Sequence, residues 1–258
     1  MSILITNDDG YTSPGLRVLH DVALEVFGKD IIVVVPDRLQ SSSGMSFTFH
    51  KPLRVDKTHY DGMQCFIVSG TPADCVLLAL KHIVKKKIDL VLSGINLGMN
   101  AGLETLYSSG TISAAIFAAI SGVQSIALSK HVKEDTPFSN SSNEIGQIKS
   151  RLRFILGRVK DRGLPPGVDI LNINFPLKTT SKTRIKAART DKGVFIERVL
   201  KKKDPRGRGY YWLYGDMRKN LDSNADLATL LRGDIAVTPV SLASIDEEGL
   251  SNTEKLFG

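Results

Sequence analysis

Four residues near the start of the chain, Asn7-Asp8-Asp9-Gly10, have the types and spacing to bind a metal ion. They follow a short apolar run, residues 3–6, which predicts a buried strand. Two adjacent carboxylates at the end of an apolar strand repel each other and resist ionisation unless a cation lies between them. A hard divalent cation would relieve that repulsion. The alternative is an ordinary strand-to-helix turn, in which Asn, Asp and Gly are favoured for conformational reasons alone.

Two further segments offer neutral oxygen atoms as ligands. Residues 37–44 (DRLQSSSG) contain three consecutive serines, and residues 93–100 (SGINLGMN) contain the amide side chains of Asn96 and Asn100. Oxygen ligands of mixed charge suit Mg²⁺ or Mn²⁺, and no two of the five histidines have metal-ligand spacing, which disfavours zinc. Taken alone, the serine run is typical of a solvated loop, and residues 94–100 are typical of a glycine-permitted turn.

A candidate phosphate site is the sequence YSSGT at residues 107–111, which directly precedes an alanine-rich stretch that predicts a helix at 111–120. A helix that begins with Ser, Gly and Thr offers backbone N–H groups, hydroxyls and the positive end of its dipole to a phosphate. The same residues could serve only as a helix cap. They are a candidate phosphate site because the acidic, hydroxyl and amide segments are expected to face the same crevice.

The elements that must position these residues follow from hydrophobic periodicity. It predicts strands at residues 3–6, 31–35, 47–55, 63–68, 90–92, 125–128, 169–174 and 234–240, and helices at 16–27, 71–87, 111–120 and 144–159. Strands that alternate with helices through short connections predict an α/β fold, a mostly parallel sheet with helices on both faces. In such a sheet the loops after residues 6, 35 and 92 face one crevice, where ligands bind.

Several common catalytic motifs are absent from the sequence. It contains no GxxxxGK[ST], no GxGxxG after the first strand and no HExxH. Gly10 stands where phosphatases that form a phosphoaspartate carry a second acid. The first loop therefore favours direct hydrolysis at a metal over a covalent aspartyl intermediate.

The positive charge of the chain is concentrated in one segment. The 258 residues carry a net charge of +7, and residues 182–219 alone hold thirteen basic and four acidic side chains, a net of +9, so the remainder is −2. A nucleic-acid-binding domain spreads basic charge over its binding face, whereas most of this chain is near neutral. We therefore expect no nucleic-acid partner for the main body of the protein.

The basic segment ends in the aromatic residues Tyr210-Tyr211-Trp212 and predicts an extended hairpin or arm. One hypothesis makes it an RNA- or nucleotide-binding module that stacks bases and contacts phosphates. The interpretation we favour is a hairpin that buries its aromatic residues against another subunit. A third hypothesis, an assembly protein without catalysis, conflicts with the set of oxygen ligands.

The two cysteines, Cys65 and Cys75, lie inside apolar runs, which predicts reduced, buried thiols. The first residues lack the pattern of a signal peptide, and no apolar run approaches the roughly 20 residues of a membrane-spanning helix. We expect a cytoplasmic protein without membrane contact.

Together the motifs resemble the SurE family of survival proteins, from the first strand almost to the last residues. The shared sequences are NDDG at 7–10, PDRxxSxxG at 36–44, HKPLR at 50–54, GTPADCV at 70–76, SGIN at 93–96, SGT at 109–111, LNINFP at 171–176, DPRGRxYYW at 204–212 and VTPVS at 237–241.

The resemblance implies a metal-dependent phosphatase that acts on nucleoside monophosphates at the 5′ or 3′ position, and in some members on short polyphosphate. It implies one Mg²⁺ or Mn²⁺ ion per subunit. Asp8, Asp9 and Asn96 are the expected catalytic residues, and Asp9 is our choice for the general base. The implied metal ligands are Asp8, Asp9, Ser41 and Asn96, and the implied phosphate-binding residues are Gly44, Asn100, Ser109, Gly110 and Thr111.

The resemblance also implies a Rossmann-like catalytic core at residues 1–180. Residues 181–258 would form a C-terminal extension with the basic hairpin and a returning strand, which joins subunits into a homodimer or homotetramer. Two residues depart from the family pattern: the chain has YSSGT where the family usually has YSGT, and Met45 where a histidine is common.

Overall fold

The computed structural model describes residues 1–133, 138–139, 141–218, 221–242 and 252–256. The strands are β1 (Ile3–Thr6), β2 (Ile31–Pro36), β3 (Val55–Tyr60), β4 (Met63–Val68), β5 (Leu90–Leu97), β6 (Gln124–Lys130), β7 (Ile170–Phe175), β8 (Ile185–Ala187), β9 (Phe195–Lys203), β10 (Gly209–Met217) and β11 (Ile235–Val240). The helices are α1 (Pro14–Phe27), α2 (Pro72–Leu78), α3 (Gly102–Ser108), α4 (Gly110–Ile120), α5 (Ser142–Arg162) and α6 (Asp226–Leu231), and a further helical turn lies at residues 252–256.

Nine of these strands form one sheet in the order β3-β4-β2-β1-β5-β6-β7-β11-β8. All neighbours pair in parallel except β3 with β4 and β7 with β11. Every residue of the central strand β1 is buried, as expected for a strand covered on both faces. The prediction of a Rossmann-like, mostly parallel α/β sheet is confirmed.

Helices cover both faces of the sheet because successive side chains of each strand point to opposite faces. Ile3 and Ile5 pack with α1 and α5, whereas Leu4 packs with α2 and α4. Both cysteines are free and buried, as predicted. Within the described part of the chain no single helix is long and apolar enough to cross a membrane, although α3 and α4, bent by 70° at their junction, pass that test as a pair by length and composition alone.

Two predicted elements between residues 47 and 87 are wrong in extent. The strand predicted at 47–55 begins only at Val55, because Pro52 cannot donate a ladder hydrogen bond and most of the residues around it, Leu53 excepted, stay exposed. The helix predicted at 71–87 ends with a π-helical turn, Ala79–Ile83, before three adjacent lysines that offer no apolar face. Its start is as predicted, with Thr71 in a capping box.

Strand β5 extends beyond its predicted end at residue 92 to Leu97, with a shift in register between Ser93 and Asn96. Gly94 permits this path, because a Cβ there would collide with the backbone oxygen of Leu128. The glycine therefore allows a close approach of two strands instead of ending one. Helix α3, which follows, was not predicted.

The C-terminal residues contribute to two sheets. β11 pairs with β7 and β8 pairs with β11, so both belong to the main sheet. β9 and β10 form a separate antiparallel hairpin. Lys219, part of the basic segment, lies outside the described residues. The division at residue 180 into a core and an extension stays a prediction.

Candidate active site

The loop after β1 contains both a tight turn and the two adjacent carboxylates. The Asn7 side chain accepts a hydrogen bond from the Gly10 N–H (3.1 Å) and donates one to the Gly10 carbonyl (2.9 Å). Gly10 has a φ of 87°, which favours glycine. Asn7 and Gly10 therefore build the turn, and the carboxylates of Asp8 and Asp9 are not needed for it.

Asp8 is buried against the start of α4. Its Oδ1 accepts a hydrogen bond of 2.6 Å from the Thr111 hydroxyl. Burial raises the pKa of Asp8 to about 6, the hydrogen bond from Thr111 opposes this rise, and the charge of Asp9 adds to it. Asp8 is thus a carboxylate whose charge the protein alone does not fully compensate.

Asp9 lies beside the carboxyl end of β5 and is less buried than Asp8. Its Oδ2 accepts hydrogen bonds from the Leu97 N–H (3.2 Å) and the Ser13 hydroxyl (3.5 Å). Burial raises the pKa of Asp9 as well, while these two contacts lower it. The loops after β1 and β5 therefore meet in one crevice, as predicted from the sheet topology.

The start of α4 contains a helix cap and also contacts the carboxylate of Asp8. Ser109 is the helix cap, since its Oγ accepts a hydrogen bond from the Ile112 N–H (3.3 Å). Gly110 packs directly against Asp8: a Cβ on Gly110 would lie 3.2 Å from Asp8 Oδ2 and 2.8 Å from Ser43 Oγ. With Thr111 bonded to Asp8, the positive end of the α4 dipole faces the carboxylate pair.

The serine loop after β2 reaches the same crevice through Gln40, whose N–H donates to the Asp8 carbonyl (2.9 Å). Ser41, the predicted metal ligand, is exposed. Ser43, which the sequence did not single out, has a buried Oγ with no hydrogen-bond partner in the described chain, and this atom lies against Gly110. Three adjacent serines gave no sequence signal for choosing among them.

Gly44 ties the serine loop to the turn before α4. Its N–H donates to the Ser108 carbonyl (2.9 Å), and its φ of 55° is one that glycine adopts readily. A Cβ on Gly44 would lie 3.3 Å from the carbonyl oxygen of Tyr107. The structure thus brings Gly44 to the predicted phosphate-binding turn.

The two predicted asparagines have different surroundings. Asn96 is the penultimate residue of β5, and its Nδ2 donates to the Gly98 carbonyl (3.0 Å), which leaves the side-chain oxygen as its acceptor for a ligand. Asn100 is buried, its Nδ2 donates to the Ser129 hydroxyl (2.8 Å), and its N–H donates to Asn174 Oδ1 (2.8 Å). These bonds fix the Asn100 backbone to β6 and β7.

A divalent cation fits this set of groups. In the part of the chain that the structure describes, no group of three or more His, Cys, Asp or Glu residues could hold a metal ion. A cation here would therefore depend on the two carboxylates plus neutral oxygens, which is the hard ligand set of Mg²⁺ or Mn²⁺. The raised pKa of Asp8 and Asp9 and the unpartnered hydroxyl of Ser43 are consistent with that ligand set.

Comparison with known proteins gives one consistent result. The sequence model of the family described as survival protein SurE matches residues 3–197. A protein of Pyrobaculum arsenaticum named 5′-nucleotidase SurE is 40% identical over 257 residues, covering 99% of this chain and 94% of the relative. One of Thermofilum pendens with the same name is 40% identical, covering 99% of this chain and 97% of the relative. The crystal structure of the SurE protein from Aquifex aeolicus superposes with a TM-score of 0.83 at 34% identity over the full length of both chains.

Proposed function

The chain belongs to the SurE family, and on that premise we propose that it is a divalent-metal-dependent 5′-nucleotidase, which hydrolyses nucleoside 5′-monophosphates to nucleoside and phosphate. Relatives named 5′-nucleotidase SurE align with nearly the whole chain, including the crevice. The observation that carries the metal dependence is the pair of adjacent carboxylates, the buried Asp8 and the half-buried Asp9, of which Asp8 lies against the start of α4.

One Mg²⁺ or Mn²⁺ ion per subunit is the proposed cofactor. Asp8, Asp9 and the side-chain oxygen of Asn96 would hold it, with Ser41 as the ligand implied by the family motif and Ser43 as the serine that this structure favours. When bound, the cation supplies a Lewis acid that neutralises charge on the phosphoryl oxygens and activates water.

The protein groups have separate tasks in this proposal. The start of α4 binds the phosphate through its backbone and dipole, and Thr111 holds Asp8 in place. Asp9, the less buried carboxylate, accepts a proton from the water whose oxygen attacks phosphorus. The bond from phosphorus to the ester oxygen breaks, and that oxygen takes up a proton from solvent water, so the nucleoside leaves as an alcohol. Asp9 then releases its proton to solvent.

The test is phosphate release from 5′- and 3′-monophosphates and short polyphosphate, each with Mg²⁺, Mn²⁺ or a chelator. We expect turnover of 5′-monophosphates that the chelator abolishes, together with loss of turnover in Asp9→Asn at unchanged stability. Activity of the wild-type chain in the chelator would refute the metal dependence. Undiminished activity of Asp9→Asn would refute the role of Asp9, and no release from any nucleotide would refute the phosphatase.

The β9–β10 hairpin supports assembly of the chain into a homodimer or homotetramer. Its two strands carry exposed apolar residues on both faces, among them Val199, Trp212 (62% exposed) and Leu213. An isolated two-stranded hairpin is only marginally stable in water. Burial of these side chains against a second copy would stabilise it, so we propose the hairpin as the subunit contact.

The alternative function, a nucleotide- or RNA-binding module, is favoured by the same hairpin. Lys201 Nζ lies 5.6 Å from the centre of the Tyr211 ring, and both side chains are accessible to a nucleic acid. Aromatic side chains on which bases can stack, beside lysines that can contact phosphates, suit single-stranded RNA. Strongly salt-dependent RNA binding that persists in Asp9→Asn would favour this function over the phosphatase.

A further inference from the structure

The segment that leads into the β9–β10 hairpin holds helix α3 in place. Glu104 Oε2 accepts hydrogen bonds from the Val194 N–H (3.1 Å) and the Phe195 N–H (3.4 Å). The Leu103 N–H donates to the Asp191 carbonyl (2.9 Å). One carboxylate of α3 therefore satisfies two backbone donors at the start of β9, about 90 residues later in the chain.

A second carboxylate fixes the first turn of α3 to the same segment. Asp226 is fully buried, and its two oxygens accept hydrogen bonds from the Gly102 N–H (2.9 Å) and the Asp191 N–H (3.1 Å). A Cβ on Gly102 would lie only 2.8 Å from a methyl carbon of Val194. The start of α3 thus has little room to shift.

The other end of α3 leads into the proposed phosphate site without a linker. Ser109 both ends α3, by donating its N–H to the Thr105 carbonyl (3.0 Å), and caps α4. The last residue of α3, Ser108, accepts the N–H of Gly44 from the serine loop (2.9 Å). Any rotation of α3 therefore moves Ser109, Thr111 and the serine loop together.

We propose that Glu104 is a positioning residue for phosphate hydrolysis. Through their hydrogen bonds to α3, residues 191–195 set the geometry of the turn at residues 109–111, which is proposed to bind phosphate. The proposal rests on the proposed phosphatase function. Glu104 touches neither Asp8 nor Asp9 in the structure, so its effect on catalysis is indirect: it anchors α3, and α3 ends at the turn that contacts Asp8. The C-terminal segment then supports the geometry of the active site in addition to its proposed role in assembly.

The first test compares Glu104→Ala with Glu104→Gln. Displacement of catalytic groups by about 1 Å can reduce rates by about 100-fold, so we expect kcat/KM of Glu104→Ala to fall between about tenfold and 100-fold. Gln keeps an oxygen that can accept the same two N–H groups, so Glu104→Gln should retain most of the activity. The loss should be equal for a nucleotide and for p-nitrophenyl phosphate, because the displaced groups bind the phosphate.

A matched control removes a similar contact at the amino-terminal end of a sheet strand, the end opposite to the proposed active site. Asp169, just before β7, accepts the N–H of Leu242 (2.7 Å), so Asp169→Ala also deletes a carboxylate that binds a backbone donor. We expect it to lower the urea midpoint about as much as Glu104→Ala while kcat/KM stays at the wild-type value. This control separates positioning from general loss of stability.

A second perturbation approaches the contact from the hairpin side and does not touch Glu104 itself. A Cβ on Gly193 would collide with Glu104 Oε1, so Gly193→Ala should displace the Glu104 side chain. We expect a loss of kcat/KM similar to that of Glu104→Ala, and a double variant no worse than the more impaired single one, because both changes break one contact.

The outcomes separate the two proposals. Wild-type activity in Glu104→Ala, equal impairment of Glu104→Gln and Glu104→Ala, or additive losses in the double variant would each overturn the positioning role. If Glu104→Ala does not fold, the other two variants still test the positioning role. The proposal requires Glu104→Gln to be active and Gly193→Ala to be impaired. A wild-type chain that hydrolyses neither substrate would refute the phosphatase function instead.

Discussion

Replacement of Gly110 by alanine should impair catalysis as well as stability. The new Cβ would lie 2.8 Å from Ser43 Oγ, 3.1 Å from Asp8 Cβ and 3.2 Å from Asp8 Oδ2. Alanine in place of glycine gains at most about 1 kcal/mol in a helix. Crowding of a packed site costs about 1–3 kcal/mol. The net loss of unfolding free energy should therefore not exceed about 3 kcal/mol.

Catalysis should also be impaired, because the crowded atoms are the proposed ligand Asp8 and the unpartnered hydroxyl of Ser43. A shift of Asp8 by several tenths of an ångström changes the position of both metal and phosphate, and we expect kcat/KM to fall by about tenfold to 100-fold. The measurements are phosphate release from a nucleoside 5′-monophosphate and urea denaturation. The double variant Gly110→Ala/Ser43→Ala removes the closest contact, so it should regain stability but not activity.

Gly157 provides the matched control. It lies within α5, where an added Cβ has no atom within 4 Å, so Gly157→Ala should raise stability by up to about 1 kcal/mol and leave turnover unchanged. Wild-type kcat/KM in Gly110→Ala would show that the contact with Asp8 has no catalytic role. Full recovery of activity in the double variant would show that the hydroxyl of Ser43 is only an obstacle and not a ligand.

Three further predictions concern stability and assembly. The buried Lys130 forms an ion pair with Glu144 (3.1 Å), so Lys130→Met should lower the free energy of unfolding by about 3–5 kcal/mol in urea titrations. Adding Glu144→Gln to this variant should restore part of the loss. An unchanged urea midpoint in Lys130→Met would contradict the stabilising role of the ion pair. A hydrogen bond and the charge of Arg184 lower the pKa of Asp234, so the stabilisation is present above the unfolded pKa and is lost as pH falls through the folded one. Asp234→Asn should therefore lower the urea midpoint at neutral pH and not in strong acid, and an equal effect at both would refute the ion pair. Trp212→Ser should raise the dissociation constant of the subunits by about tenfold or more in sedimentation experiments if the hairpin is the contact; unchanged association would exclude it.

The sequence was most informative where one physical effect dominated. The run at residues 3–6 is apolar throughout, and it forms a central strand with both faces buried. Thr71 and Pro72 marked the start of α2, because a capping hydroxyl followed by proline suits few other structures. At residues 47–55 two effects opposed each other: the apolar pattern favoured a strand, and Pro52 and the exposure of most residues around it prevented one.

The site was predictable to the level of segments and less so to that of side chains. The loops after β1, β2 and β5 meet as the parallel topology requires, with Gln40 and Leu97 donating to Asp8 and Asp9. The choice of Ser41 rested on a motif, whereas only the packing of Gly110 distinguishes Ser43. Burial of one hydroxyl among three adjacent serines depends on tertiary contacts, which local sequence does not encode.

The loop after β1 and the turn before α4 could each be interpreted as a structural turn or as a ligand site. In the structure, different residues of each loop fit the two interpretations. After β1, Asn7 bonds both backbone groups of Gly10 and makes the turn, so Asp8 and Asp9 need not satisfy the backbone. Before α4, Ser109 caps the helix, so the hydroxyl of Thr111 is free to bond Asp8. Each of these two loops therefore has one residue that stabilises its local backbone and another whose side chain is not needed for that purpose. Asp8 and Asp9 are therefore adjacent carboxylates with raised pKa that the turn itself does not require, and the proposed cation would account for their pairing.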